Sequence, residues 1–240
     1  MSDGSAAVLT IGNELVSGDV PNTNASWLAR RLEALGIAVR LMAAVPDEID
    51  AVAELVQAQS TAVDVVLVTG GLGGTPDDVT REAIAAAFAV GQEEVAELAA
   101  ALRSRFAHNP EYAARWALLP AGSRPLANPL GGAPGFVLEN VYVLPGLPAE
   151  MEATFETIAE ELRRPLPIVT WRRTFDTRES QIAGVLTAAV ERFPGVLVGS
   201  YPRFAASGPE VDVVLKSRDE ERLYETAAWL EAALERLLAR

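Results

Sequence analysis

A chain of 240 residues, half of them hydrophobic, can build one sizeable core or a medium domain with a small companion. A formal charge of −13 with a single lysine, Lys216, leaves no basic stripe for a polyanionic backbone, so nucleic acid is not the expected partner. No cysteine and one histidine, His108, remove thiol nucleophiles, disulfides and Cys/His zinc sites.

Ala6 to Ile11 reads as the first strand, and Gly12-Asn13-Glu14 opens a polar turn at its carboxyl end, where open α/β sheets place ligands. Asn24 to Leu35 carries Trp27, Leu28, Leu32 and Leu35 at helical spacing, with Gly36 as the stop. Ile37 to Val45 is the next strand, followed by Pro46-Asp47 and a helix through about Ser60. The aliphatic run Val63 to Val68 then predicts a buried parallel strand.

Thr69-Gly70-Gly71-Leu72-Gly73-Gly74-Thr75-Pro76-Asp77-Asp78-Val79-Thr80 follows that strand. Its glycines let the backbone turn sharply and approach a ligand closely. Thr75 reads as an N-cap, Pro76 as the first helical residue and Asp78 as the partner in a capping box. Free N–H groups at such a helix start attract an anion, with phosphate as the natural guest. The loop lacks a Gly-Lys-Ser/Thr ending, which argues against ordinary ATPase or GTPase chemistry. Asp77 and Asp78 would repel that phosphate unless a divalent cation lay between them. The plainer alternative is that both residues cap the helix and complement its dipole.

Arg81 to Val90 and Glu93 to Phe106 read as helices, with His108 at a helix end before Pro110. Trp27, Trp116 and the methionines read as core or partner-contact side chains. Asn128 to Phe136 is too turn-rich for helix, and Val137-Leu138 and Val141 to Leu144 flank Glu139-Asn140 as a hairpin. Leu144 to Met151 gives a strand end, a Pro145-Gly146 turn and a helix start, equally suited to a second ligand wall or a plain connector. Alternating strands and helices imply a doubly wound, mainly parallel sheet. After Arg163-Arg164-Pro165 come a strand near 168–176, a helix Glu179 to Phe193, strands Gly195 to Ser200 and Glu210 to Ser217, and a helix from Asp219. Two domains are expected, 1–165 and a small α+β domain over 166–240. No apolar run is long enough to span a membrane and residues 1–9 are too polar for a signal peptide, so a cytoplasmic protein is expected.

Ile11-Gly12-Asn13-Glu14-Leu15, Asn22-Thr23-Asn24, Val45-Pro46-Asp47, the Thr69 to Thr80 corner, Asn128-Pro129 with Ala133-Pro134-Gly135-Phe136, and Leu144 to Met151 together resemble the CinA family. The resemblance is to its amino-terminal molybdopterin-binding-type domain, a relative of MoaB, MogA and gephyrin G proteins, and continues through Glu179-Ser180 and Tyr201-Pro202. It implies a MoaB/Mog-type three-layer αβα sandwich followed by a KH-like small domain, without the deamidase domain of many CinA proteins. Gly195 and Gly199 are spaced one residue too far for the Gly-x-x-Gly loop of an RNA-binding KH domain.

The resemblance further implies metal-dependent pyrophosphate cleavage of ADP-ribose or a related dinucleotide. Asp77 and Asp78 would hold a divalent metal (Mg, Mn or Co), and Asp47 would bind metal or orient water. Gly12, Asn13, Glu14, Asn24, Thr69, Gly70, Gly71, Leu72, Gly73, Gly74, Thr75, Thr80, Pro145 and Gly146 would contact the phosphate ligand, a nucleotide or pterin. Asn22 stands where the family commonly has Asp, and Gly74 where it commonly has Pro. Adenylyl transfer to molybdopterin, or ligand binding without turnover, are the alternatives, and a homodimer or trimer is expected.

Overall fold

The computed structural model describes residues 4–206 and 208–239. The chain divides between Arg164 and Pro165 into two compact units. In chain order the first unit contains β1 (Ser5–Ile11), α1 (Asn13–Ser17), α2 (Thr23–Ala34), β2 (Ala38–Val45), α3 (Ile49–Ala62), β3 (Val65–Thr69), α4 (Thr80–Ala87), β4 (Gln92–Glu94), α5 (Ala96–Arg105) and α6 (Pro110–Ala114). It continues with β5 (Leu118–Pro120), β6 (Arg124–Leu126), β7 (Gly135–Leu138), β8 (Val141–Leu144), α7 (Pro148–Glu156) and α8 (Ala159–Leu162).

Six strands form one sheet in the order β2-β1-β3-β8-β7-β6. β2, β1, β3 and β8 run parallel, while β7 is antiparallel to both of its neighbours. Successive residues of a strand face opposite sides, and the core obeys this. Ala6, Val8, Val65 and Leu67 pack with Leu28, Leu32, Met151 and Phe155 on one face. Leu9, Ile11, Val66 and Val68 pack with Val52, Val56 and Ile84 on the other. Helices therefore cover both faces, as a parallel sheet requires, and the three-layer expectation holds.

Local chemistry explains most boundaries. Asn22 caps α2 through its Oδ1, which accepts from the Ala25 N–H at 3.1 Å. Asn140, in the expected two-residue turn, anchors the β7–β8 hairpin by donating to the carbonyls of Ser60 and Val63, both at 3.0 Å. Two expectations fail. The helix expected from Glu93 begins only at Ala96, because Gln92–Glu94 pairs with Leu118–Pro120 as a small antiparallel ribbon. His108 lies in a turn between α5 and α6, its ring 6.1 Å from that of Phe106, so it does not sit in the last turn of a helix.

The second unit contains β9 (Val169–Phe175), α9 (Glu179–Arg192), β10 (Leu197–Ala205), β11 (Gly208–Ser217) and α10 (Glu220–Leu238). Its antiparallel sheet has the order β10-β11-β9. Val211, Val213 and Leu215 of β11 pack with Ile182 of α9 and with Leu223 and Leu230 of α10. Asp219 caps α10 by accepting from the Arg222 N–H at 3.0 Å. Among the described residues no helix is long and apolar enough to cross a membrane.

Phe155 is fully buried and meets the Trp27 ring edge-on at 5.4 Å. Phe155→Ala is expected to destabilise the first unit by about 3–5 kcal/mol, measured by guanidinium unfolding followed through tryptophan fluorescence.

Candidate active site at the strand carboxyl ends

β1 lies between β2 and β3, so the chain crosses from one side of β1 to the other. The crevice outside the carboxyl ends at such a switch point is the place where open α/β sheets bind ligands. A cavity of about 430 Å³ occupies it. Its walls come from the end of β1 (Thr10, Ile11), from Glu14 and Leu15 of α1, from Asn22 and Asn24 at the start of α2, and from Asp47 after β2. Thr69 to Gly73 with Asp77 and Asp78 form another side, and Gly146 to Pro148 complete it. Of the residues expected here, Gly12, Asn13, Gly74, Thr75, Thr80 and Pro145 do not line the cavity; all but Gly74 make hydrogen bonds to residues that do.

The glycine loop is closed from behind. The Thr80 hydroxyl donates to the Gly70 carbonyl at 2.8 Å and the Thr80 N–H to the Gly71 carbonyl at 3.2 Å. Arg81, only 5% exposed, donates to the carbonyls of Leu72 at 2.8 Å and Gly73 at 2.7 Å. Four successive carbonyls are thus held on one side of the loop. Among the described residues the N–H groups of Gly71 and Leu72 make no hydrogen bond, and both residues line the cavity. Neighbouring backbone N–H groups in a tight turn form an anion-binding concavity. Gly70 sits at φ 106°, and a Cβ there would lie 2.2 Å from the Ile11 carbonyl oxygen, so only glycine fits.

This arrangement corrects the expected helix start. α4 begins at Thr80 with Val79 as its cap residue, and no side chain caps it. Residues 75–78 form a turn, with the Asp78 N–H on the Thr75 carbonyl at 3.1 Å. Only half of the expected capping box forms: the Asp78 carboxylate takes the Thr75 N–H, but the Thr75 hydroxyl donates to Asp78 and does not accept from its N–H, so these bonds close the turn instead. Asp78 Oδ2 accepts from the Thr75 N–H at 2.8 Å and the Thr75 hydroxyl at 2.5 Å, and Oδ1 accepts from the Gly73 N–H at 2.8 Å. Thr80 gives its N–H to the Gly71 carbonyl, so the leading N–H of α4 is directed to the loop itself. The anion site passes to the loop amides.

The expected pairing of Asp77 and Asp78 as metal ligands changes accordingly. A carboxylate offers roughly four acceptor sites, and three of those on Asp78 hold the loop. Asp47 is oriented by the Asn13 N–H, which donates to its Oδ2 at 2.8 Å. Burial pushes the Asp47 pKa up, the Asn13 bond partly offsets this, and the nearby charges of Glu14, Asp77 and Asp78 raise it further. Among the described residues no three His, Cys, Asp or Glu converge into a protein cage for a metal. The donor set instead fits an ion of the Mg²⁺ type, which takes one or two carboxylates and completes its shell with substrate phosphates and water.

Asn22, noted as a departure from the family's Asp, uses both ends of its amide. Besides capping α2 it donates through Nδ2 to the Thr10 hydroxyl at 2.7 Å, while Thr10 donates to the Ala43 carbonyl at 3.2 Å. Asn24 donates to the Gly146 carbonyl at 2.8 Å, and its buried Oδ1 has no partner. The Thr69 hydroxyl donates to the Pro145 carbonyl at 2.6 Å, tying β3 to the turn after β8. That turn therefore is a wall of the cavity as well as a connector. Arg81 was not singled out from the sequence, although a basic residue in the first turn of a helix opposes the dipole and is a legible anomaly.

Fold and cleft together define a three-layer α/β protein with a cavity at the switch point of its parallel sheet. The family described as a probable molybdopterin binding domain matches residues 7–164, and the FAD synthase middle domain matches residues 167–239. A protein from Archaeoglobus fulgidus is 38% identical over 232 residues, covering 95% of this chain and 96% of the relative. A CinA-like protein from Frankia casuarinae is 38% identical over 238 residues, and this alignment spans 90% of the chain but 54% of the relative. The crystal structure of CinA from Thermoplasma acidophilum, a protein described as having unknown function, superposes with a TM-score of 0.64 at 30% identity, over 67% of this chain and 99% of that one. The chain belongs to the molybdopterin-binding-domain family, among its CinA-like members. Its second unit corresponds to the FAD synthase middle domain and not to a deamidase.

Asp78→Asn places an amide where three donors need acceptors. We expect about 1–3 kcal/mol of lost stability and faster hydrogen exchange at Gly73 and Thr75, measured by denaturant titration and exchange mass spectrometry. Asp47→Asn is expected to act oppositely. A carboxyl whose pKa is raised on folding costs stability when ionised, and that cost grows as pH rises from the ordinary aspartate value through the folded one. The variant should therefore melt higher than wild type at pH 7, with the gap closing in acid, as calorimetry across that range would record.

Proposed function

We propose that this protein is a metal-dependent hydrolase of the phosphoanhydride bond in ADP-ribose or a related dinucleotide. One observation carries the reading. The unbonded amides of the glycine loop offer a phosphate cradle, yet Glu14, Asp47, Asp77 and Asp78 line the same cavity, and no lysine, arginine or histidine does among the described residues. A diphosphate can stay there only with a cation between it and the carboxylates. The family match and the CinA-like relatives support a phosphate-bearing small molecule as the guest.

Asp77, together with the substrate phosphates and water, would hold the divalent ion, which when bound supplies Lewis acidity and lowers the pKa of water. Gly71 and Leu72 would fix one phosphate through their N–H groups, and Asp78 would keep the loop in shape for them. Asn24 would accept a ligand N–H or O–H at its unpartnered Oδ1. Asp47, with its raised pKa, is suited to accept the proton of the attacking water. The water oxygen bonds to phosphorus as the bridging P–O bond breaks, giving AMP and ribose phosphate from ADP-ribose.

The match to a probable molybdopterin binding domain favours one other reading, adenylyl transfer from ATP to molybdopterin in the same cleft. Chromatography of ADP-ribose, FAD, NAD, and ATP with molybdopterin, each with Mg²⁺, Mn²⁺ or Co²⁺, separates the two. AMP from ADP-ribose, abolished by EDTA and lowered about 10²–10⁴-fold by Asp47→Asn, is the expected result. Adenylylated pterin would establish transfer, and binding without any product would leave a ligand carrier.

A further inference from the structure

Hydrogen bonds pin the glycine loop on both sides of residue 74. Thr80 holds the Gly70 and Gly71 carbonyls, Arg81 those of Leu72 and Gly73, and Asp78 the N–H groups of Gly73 and Thr75. Among the described residues Gly74 makes no hydrogen bond through either of its backbone groups. Glycine has more conformational freedom to lose than any other residue, so an unanchored glycine is where such a loop would give way.

An aromatic ring supplies the missing restraint. A Cβ built on Gly74 would lie 2.6 Å from Cε2 and 2.7 Å from Cζ of Tyr112, and 3.0 Å from its hydroxyl oxygen. The phenol therefore fills the space that any side chain at 74 would need. Tyr112 is itself braced from outside the loop. It lies on α6, and its ring meets Trp116 edge-on at 5.8 Å, which in turn meets Phe106 edge-on at 5.1 Å. Trp116 packs both on the sheet core around Val68 and Ile84 and on the small core of Ala99, Leu102, Ala113 and Ala117 that α5 and α6 build for themselves. Neither Gly74 nor Tyr112 lines the larger cavity, so the contact acts on a ligand only through the loop.

We propose that Tyr112 is a positioning residue for the phosphate cradle: its ring, seated on Gly74, holds the glycine loop in the form that leaves the Gly71 and Leu72 N–H groups free to receive a phosphate. The proposal rests on the phosphate-cradle reading of the larger cavity. A loop kept in its binding form before the ligand arrives spares the cost of ordering it on binding. The contact therefore acts on ligand affinity and loop opening, and it takes no part in the chemical step.

Calorimetric titration of the full chain with Mg²⁺-pyrophosphate, paired with hydrogen-exchange mass spectrometry of the loop, is the experiment, run on wild type, Tyr112→Phe, Tyr112→Ala, Gly74→Ala and the Tyr112→Ala, Gly74→Ala double variant. Tyr112→Ala should weaken pyrophosphate binding roughly three- to tenfold and speed exchange at Gly73 and Thr75. Tyr112→Phe should keep both near wild type, because the ring stays on Gly74. Gly74→Ala leaves every aromatic side chain in place and forces only the ring aside, so it should reproduce the loss, and it keeps the test decisive if Tyr112→Ala folds poorly. The double variant should be no weaker than the worse single one, whereas a tyrosine that merely stabilised α6 would give losses that add. Additive losses, or pyrophosphate affinity and loop exchange in Tyr112→Ala and Gly74→Ala equal to wild type, would overturn the proposal. If wild type itself fails to bind Mg²⁺-pyrophosphate, the cradle reading falls, and exchange at Gly73 and Thr75 still decides whether Tyr112 holds the loop.

Discussion

The buried guanidinium of Arg81 is the constraint on which the cleft depends. It reaches back from the first turn of α4 and holds two carbonyls of the glycine loop, while Thr80 holds the two before them. A buried charge is tolerated only when it is fully hydrogen-bonded, so loop and arginine need each other. Burial lowers the Arg81 pKa, with Glu82, Asp78 and Tyr112 opposing that shift. Asp78 closes the same loop from its other side, through the Gly73 and Thr75 amides.

This closure moves the anion site. Thr80 returns its N–H to the loop, which leaves the loop's own amides to receive a phosphate. The cavity that results joins unbonded loop amides with Glu14, Asp47, Asp77 and Asp78, and under the proposed function a diphosphate would need a cation between them. The raised pKa of Asp47 is the electrostatic signature of that crowding, since burial and three neighbouring acids all act against its ionised form.

Much of this was legible along the chain. The parallel strands, the β7–β8 hairpin and most helices follow from apolar periodicity and turn residues, because these are local signals. The glycine corner was legible for the same reason, since a positive φ beneath the Ile11 carbonyl admits glycine alone at residue 70. The short ribbon of β4 and β5 was not, because three-residue strands carry no usable period and exist only through each other. The start of α4 was misplaced by four residues: Thr75, Pro76 and Asp78 satisfy the rules for a helix start, and those rules describe turns equally well.

Apolar periodicity and ordered motifs carried the mainly parallel sheet and the family, since each depends on neighbours in the chain. The tertiary structure alone decided what the residues around the glycine loop do. It turned Asp78 from a free carboxylate into a loop clamp and brought Asp47 into one cavity wall with Asp77. These roles depend on how lone pairs and donors are shared among groups far apart in sequence, and that sharing is fixed only when the strands bring them within hydrogen-bonding distance.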